Sequence, residues 1–118
     1  MTVFTTAGKQ WVADAMRGSV STTQQYIGWG TGSTAEAAAQ TALITPAAEA
    51  RTAGAITSPT AALHRTIGTI VSASGQTITE VGLFDASTVG VMMLRAVFAG
   101  IPLLTGDSIA FTLDLTIT

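Results

Sequence analysis

Cysteine is absent from the 118 residues. That excludes disulfides, thiolate zinc sites, iron–sulfur clusters and a cysteine nucleophile. Histidine occurs once, as His64, so a histidine-rich metal site or a Ser–His–Asp triad would have to be built around that residue alone. Lysine also occurs once, as Lys9, and the four arginines (Arg17, Arg51, Arg65, Arg95) are dispersed. With a net charge of −2, the chain lacks the basic surplus that phosphate contacts demand, which argues against a nucleic-acid partner. Long apolar runs are missing too. The most apolar stretch, Val89 to Leu104, contains Arg95 and Pro102 and falls short of the ~20 residues a spanning helix needs, so no membrane partner is expected. The N-terminus lacks the basic-then-apolar order of a signal peptide. The chain is expected to stay where it is made, or to leave only as part of something larger.

Charge itself is scarce. Charged residues make up 10% of the chain, where about 25% is usual. Hydrophobic residues make up 47% and the mean hydropathy is +0.49, which is not the signature of a disordered chain. At this length one domain, spanning 1–118, can bury roughly two-thirds of its unfolded surface and needs no staples. The composition is nevertheless apolar for a small monomer, which implies that a partner covers part of the exterior.

Hydrophobic spacing defines the elements. Thr5 or Thr6 can cap a short helix over residues 5–18, with Ala7, Trp11, Val12, Ala15 and Met16 on one face and Gly18 as the stop. Gln24 to Trp29 reads as a strand entering Gly28-Trp29-Gly30-Thr31-Gly32-Ser33, where alternate glycines mark tight backbone. The Ala-rich stretch 35–50 reads as an irregular connector with one helical turn near Ala35–Ala39. Arg51 to Pro59 reads as an extended segment ending before proline. The main β portion is 61–118. Leu63, Arg65, Ile67, Thr69 and Val71 alternate with His64, Thr66, Gly68, Ile70 and Ser72, and Thr77 to Phe84 follows a turn. Val89 to Phe98 is apolar on both faces, as a strand covered on both sides would be. In the last strand Ile109, Phe111, Leu113, Leu115 and Ile117 alternate with polar or small residues, giving one buried face and one wet or partner-facing face. Together these predict a mainly β fold, an antiparallel β-sandwich or partly closed barrel of five to eight strands with one short N-terminal helix. The threonine-rich strands suit a face that packs against a neighbouring subunit.

Chemistry is hard to build from these residues. The glycine loop has no Gly-Lys-Ser/Thr and carries Ser33 where a dinucleotide fingerprint needs glycine, so it reads as a structural turn. No Gly-x-Ser-x-Gly elbow occurs. Glu80, Asp85, Asp107 and Asp114 offer carboxylates but little material for a cleft between them. Glu80 reads as a structural partner of Arg95 or Arg65, Asp85 as a strand-end cap and Asp107 as a turn residue. No catalytic residue, cofactor or metal is expected. Among the aromatics, Trp29 reads as exposed or at an interface; Trp11, Tyr26 and Phe98 complete the candidate interface set.

Two stretches carry a resemblance. Thr77-Ile78-Thr79-Glu80-Val81-Gly82-Leu83-Phe84-Asp85-Ala86, then Met93-Leu94-Arg95-Ala96-Val97-Phe98 and Gly106-Asp107-Ser108-Ile109, resemble a block in many small structural proteins of tailed bacteriophages and in the N-terminal attachment domain of phage tail fibres. Upstream, Thr6-Ala7-Gly8, Ile27 to Gly32, Gln40-Thr41-Ala42-Leu43 and Glu49-Ala50-Arg51 follow in that family's order. Trp29 in the glycine loop departs from the pattern, and the chain ends at Thr118 with no receptor-binding portion, which favours a free-standing module. The resemblance implies a non-enzymatic virion building block, assembled in the host bacterial cytoplasm. The first expectation is a capsid decoration (cement) protein that binds the major capsid protein or other virion subunits and forms a homo-oligomer, a trimer in first place. A tail, baseplate or tail-fibre adaptor is the alternative. An alternative of another class is a carbohydrate-binding host-adhesion module that uses Trp29 as a stacking platform.

Overall fold

The computed structural model describes residues 2–18 and 24–116. Strand β1 (Thr2–Phe4) leads into helix α1 (Thr6–Met16). Thr5 caps the helix by accepting the Gly8 N–H at 2.9 Å, and its own hydroxyl and N–H are bonded to the backbone of Met92 and Met93. The cap therefore fixes the helix to the strand beneath it as well as satisfying an end group. Arg17 closes the helix and Gly18 follows at φ +73°. Trp11 is buried, and Val12 and Ala15 pack against the core. Met16 does not follow the expected stripe and is 86% exposed, because it lies about 140° around the axis from Trp11.

The strands form two antiparallel sheets. β2 (Tyr26–Gly30), β3 (Thr52–Ala53), β6 (Gln76–Phe84) and β7 (Met92–Leu103) join β1 in a five-stranded sheet of order β1-β7-β6-β2-β3. β4 (Ala55–Thr60), β5 (Leu63–Val71) and β8 (Ser108–Thr116) form a three-stranded sheet of order β4-β5-β8. Gly54 carries the chain from β3 in one sheet to β4 in the other, its N–H donating to the Gln25 carbonyl at 2.9 Å. The fold is the expected mainly β sandwich with one short N-terminal helix, and strands β1 to β4 add β structure ahead of residue 61.

The core lies between the sheets. Ile27 and Trp29 of β2, Ile78, Val81 and Leu83 of β6, Met93, Leu94 and Leu103 of β7, Ile70 of β5 and the Phe111, Leu113, Leu115 row of β8 make one cluster. Burying each aliphatic side chain of this kind contributes about 1.5–3 kcal/mol. β7 is covered on both faces from Met92 to Arg95, as its continuous hydrophobicity predicts, although Val89 sits outside the strand and is 84% exposed. β8 shows the expected alternation over the described residues; Ile117 lies outside them. In β5 the inward row is the less apolar one: Thr66, Ile70 and Ser72 are buried, while Ile67 and Val71 of the other row are 42% and 57% exposed. The inner polar end is matched by bonds, with His64 and Thr66 meeting the Gln25 side chain at 2.5 Å and 3.3 Å.

The Ala-rich connector has no helical turn at Ala35–Ala39. A single turn, closed by the Gln40 N–H on the Ala37 carbonyl at 3.0 Å, and an antiparallel bridge of Pro46 to Gly30 are its regular features. Ala side chains bring too little burial to hold a helix on the sheet, and the segment is fixed by other means.

Candidate functional site

Those means begin with Glu80 on β6 and Arg95 on β7. Both side chains are 0% exposed. Arg95 Nε donates to Glu80 Oε1 at 3.0 Å, and its Nη2 sits 2.9 Å from the same oxygen in an ionic contact. The carboxylate also accepts the backbone N–H groups of Gly32, Ile44 and Thr45 at 3.0, 3.0 and 2.8 Å. Arg95 Nη1 donates to the Thr34 carbonyl at 2.8 Å and to Gln40 Oε1 at 3.1 Å. One buried ion pair thus pins both arms of the segment 31–45. Gly30 and Gly32 owe their identity to it. A Cβ at Gly30 would lie 2.3 Å from the Thr45 carbonyl oxygen, and one at Gly32 2.6 Å from Glu80 Oε2. The glycine loop makes room for a carboxylate of the same chain. Burial opposes the charge on Glu80, but the three backbone N–H groups and Arg95 outweigh it and hold the carboxyl below its usual range.

Glu49 is a second anchor. It accepts the Trp29 indole N–H at 3.0 Å, the Ala73 N–H at 2.9 Å and two bonds from the Gln76 amide. Burial works against its charge; the donors from Ala73, Gln76 and Trp29 prevail and lower its pKa to about 2. Arg51 lies 3.5 Å over the Phe84 ring and donates to the carbonyls of Ala86 and Val89 at 2.9 and 2.7 Å. Burial lowers its pKa, with Asp85 acting in the opposite sense. Asp85 accepts the Val91 N–H at 2.7 Å and Asp107 the Leu104 N–H at 2.8 Å. Both are the local caps the sequence predicts. Glu80 does pair with Arg95, while Arg65 takes Asp114 instead in a two-bond contact at 2.7 and 3.0 Å.

Two of the four candidate interface aromatics are interior, which corrects the expectation for them. Trp29 is 2% exposed and Trp11 is 7% exposed. The glycines beside Trp29 make room for protein rather than solvent, Gly28 for Arg51 and Phe84 and Gly30 for Thr45 and Glu80, and the indole lies inward and meets Phe111 edge-on at 6.3 Å. Phe98 is half-buried, its ring tilted against Phe111 at 6.3 Å, and Tyr26 is half-buried at the start of β2. The four do not form one exposed patch.

The outer face of the three-stranded sheet joins the polar row of β8, which the sequence offers as a wet or partner-facing face, to a row of β5 that it did not single out. Ile67 and Val71 of β5 stand there beside Thr69, and cross-strand pairing places Thr112 beside Ile67 and Ala110 beside Thr69. Its one charged feature, Arg65 with Asp114, is neutralised within the sheet. The Arg65 bonds lower the Asp114 pKa, and Asp114 raises that of Arg65. No described residue packs over this face, and Ile67, Val71, Thr69, Ala110 and Thr112 are all exposed. Such a face can offer flat apolar and hydroxyl contacts with little ion desolvation. Its outward β5 row is the more apolar of the two, so hydropathy alone would turn it inward. Among the described residues no group of three metal-ligating side chains comes together. No family model, curated protein or solved structure matches this chain.

Proposed function

We propose that this protein is a structural subunit of a tailed-bacteriophage virion, and in first place a capsid decoration protein that binds coat subunits and stabilises the shell. The observation that carries this reading is the convergence of the resembling segments. Glu80 from the first block, Arg95 from the second, Gly30 and Gly32 from the glycine loop and Gln40 from the connector meet in one hydrogen-bonded cluster. The resemblance thus follows a single folding unit rather than scattered short matches. Supporting it, the charged side chains of Glu49, Arg51, Glu80 and Arg95 are engaged inside the chain, and the sheet face with Ile67 and Val71 stays open. Weak apolar and hydroxyl contacts of this kind, repeated over a symmetric shell, add up through multivalency.

The alternative within the class is a tail or baseplate adaptor. The glycan-stacking alternative loses its platform, since the Trp29 ring is in the core and its N–H is committed to Glu49. The test is to tag the chain and image particles. The decoration reading expects the label over the shell and in heads that lack tails. Label confined to the tail transfers the protein to the adaptor reading, and no label in purified particles overturns both.

A further inference from the structure

Open strand edges are where chains join, and folded proteins protect them. Among the described strands, the free edges of β1, β3, β4 and the outer half of β7 carry a protection, β5 and β6 leave only four-residue ends uncovered, and β8 offers the longest open run. β1 has three residues and β3 two. β4 contains Pro59, and its pairing with β5 slips between Thr57 and Thr60. The half of β7 beyond β1 contains Gly100 and Pro102, and the Glu36 carboxylate accepts its Val97 N–H at 3.2 Å. β8 has nine residues and no proline, glycine or lysine, and its register with β5 runs unbroken from Ser108 to Thr116. Its only charge, Asp114, is already bonded to Arg65 of the same sheet.

The turn before β8 fixes which backbone groups are free. Leu104 to Asp107 closes with Gly106 at φ +90°, the third position where a type II turn needs glycine. The Ser72 N–H then donates to the Asp107 carbonyl at 2.7 Å. Antiparallel bonding alternates from that point. Ile109, Phe111, Leu113 and Leu115 therefore bond to β5, and the backbone groups of Ser108, Ala110, Thr112, Asp114 and Thr116 point away from it.

We propose that this edge pairs antiparallel with β8 of a second copy, about a two-fold axis at Thr112. In that register Thr112 faces the partner's Thr112, Ala110 faces the partner's Asp114 and Ser108 faces the partner's Thr116, so every outward backbone group of the strand is engaged. Phe111 then lies beside the partner's Leu113, which continues the apolar inner row across the joint. Asp114 stays about 14 Å from the partner's Asp114 along the strand. Centring the pair on Asp114 would set two carboxylates opposite each other, and centring it on Ala110 would leave Asp114 and Thr116 without partners. An axis at Phe111 would leave Thr116, and one at Leu113 would leave Ser108, without a partner in the strand, so only the axis at Thr112 engages all five outward residues. The resulting pair is isologous, a two-fold unit in place of the trimer expected from the sequence. It concerns the free chain, so its outcome is separate from the location of the protein in a particle.

The test uses the purified chain and its sedimentation over a concentration series. The mass is expected to double with concentration. Thr112→Lys places like charges face to face and should abolish doubling, while the circular dichroism spectrum, and the thermal midpoint at dilutions where the native chain is monomeric, stay unchanged. Thr112→Glu should do the same, and an equimolar mixture of the two variants should recover the doubled mass. Thr112→Cys in this cysteine-free chain should form a reducible dimer faster than Thr69→Cys on the same face, because the paired Cα atoms would be about 5.5 Å apart, within disulfide reach. A monomer at every concentration, a trimeric mass, doubling that survives Thr112→Lys, or equal cross-linking of the two cysteine variants would each overturn the proposal.

Discussion

Glu80 and Arg95 are the residues on which the most other groups depend. Removing one charge from a fully buried pair leaves the other uncompensated, which costs about 3–5 kcal/mol. Glu80→Gln is therefore expected to destabilise the protein by about that much in chemical denaturation. It also replaces one acceptor oxygen by an amide NH2, so either the Ile44 N–H or those of Gly32 and Thr45 lose their acceptor. Replacing both members, Glu80→Gln with Arg95→Met, should recover part of the loss, since no isolated charge is then left inside. Equal destabilisation by the single and double variants would show that the backbone acceptor role outweighs the ion pair.

At the scale of elements, the contrast is between strands held by apolar periodicity and a connector held by two carboxylates. Glu80 and Glu49 both titrate below the ordinary value of 4.5 in the folded protein, Glu49 at about 2. A depressed carboxyl pKa stabilises the fold fully above the unfolded value and loses that contribution as pH falls toward the folded one. The thermal midpoint is thus expected to be flat on this account above about pH 5 and to fall between about 4.5 and 2. Glu49→Gln should flatten part of that fall. In NMR, the Ile44, Thr45 and Ala73 amides should shift in the same window, ahead of amides in the β6–β7 ladder. This division also marks what could be read from the chain. α1 and β8 were legible because each repeats one spacing, and β7 because it is apolar on both faces and is covered on both. The Glu80–Arg95 contact was legible as a charge needing a partner. The connector was not, because its order comes from acceptors 35 and 48 positions away in sequence. The burial of Trp29 was hidden for a related reason: its flanking glycines signal close backbone approach without naming what approaches. The orientation of β5 was hidden because its inner row includes Gly68, where Ile27 and Thr52 approach so closely that a Cβ would meet each at 3.1 Å.

For the whole molecule, the decisive property is how few charges remain unengaged on an exterior that includes Ile67, Val71, Val89 and Leu104. Surface contacts between free charges weaken over a Debye length of about 8–10 Å at physiological salt, whereas apolar and backbone contacts do not. Association of this protein with virion subunits is expected to change little between low and high salt, measured by retention on particles through a salt gradient. A steep loss of binding with salt would point to charged contacts and count against the sheet face as the docking surface.

The cluster around Glu80 also sets the order in which a nascent chain can settle. The glycine loop and connector emerge from the ribosome first, yet their acceptor is at position 80 and its cation at 95, and α1 rests on β7. Non-local pairings of this kind close late. The glycine loop and connector therefore settle only after translation has delivered the second half, and a truncated product ending before Arg95 would lack the strand on which α1 rests and the cation that Glu80 holds.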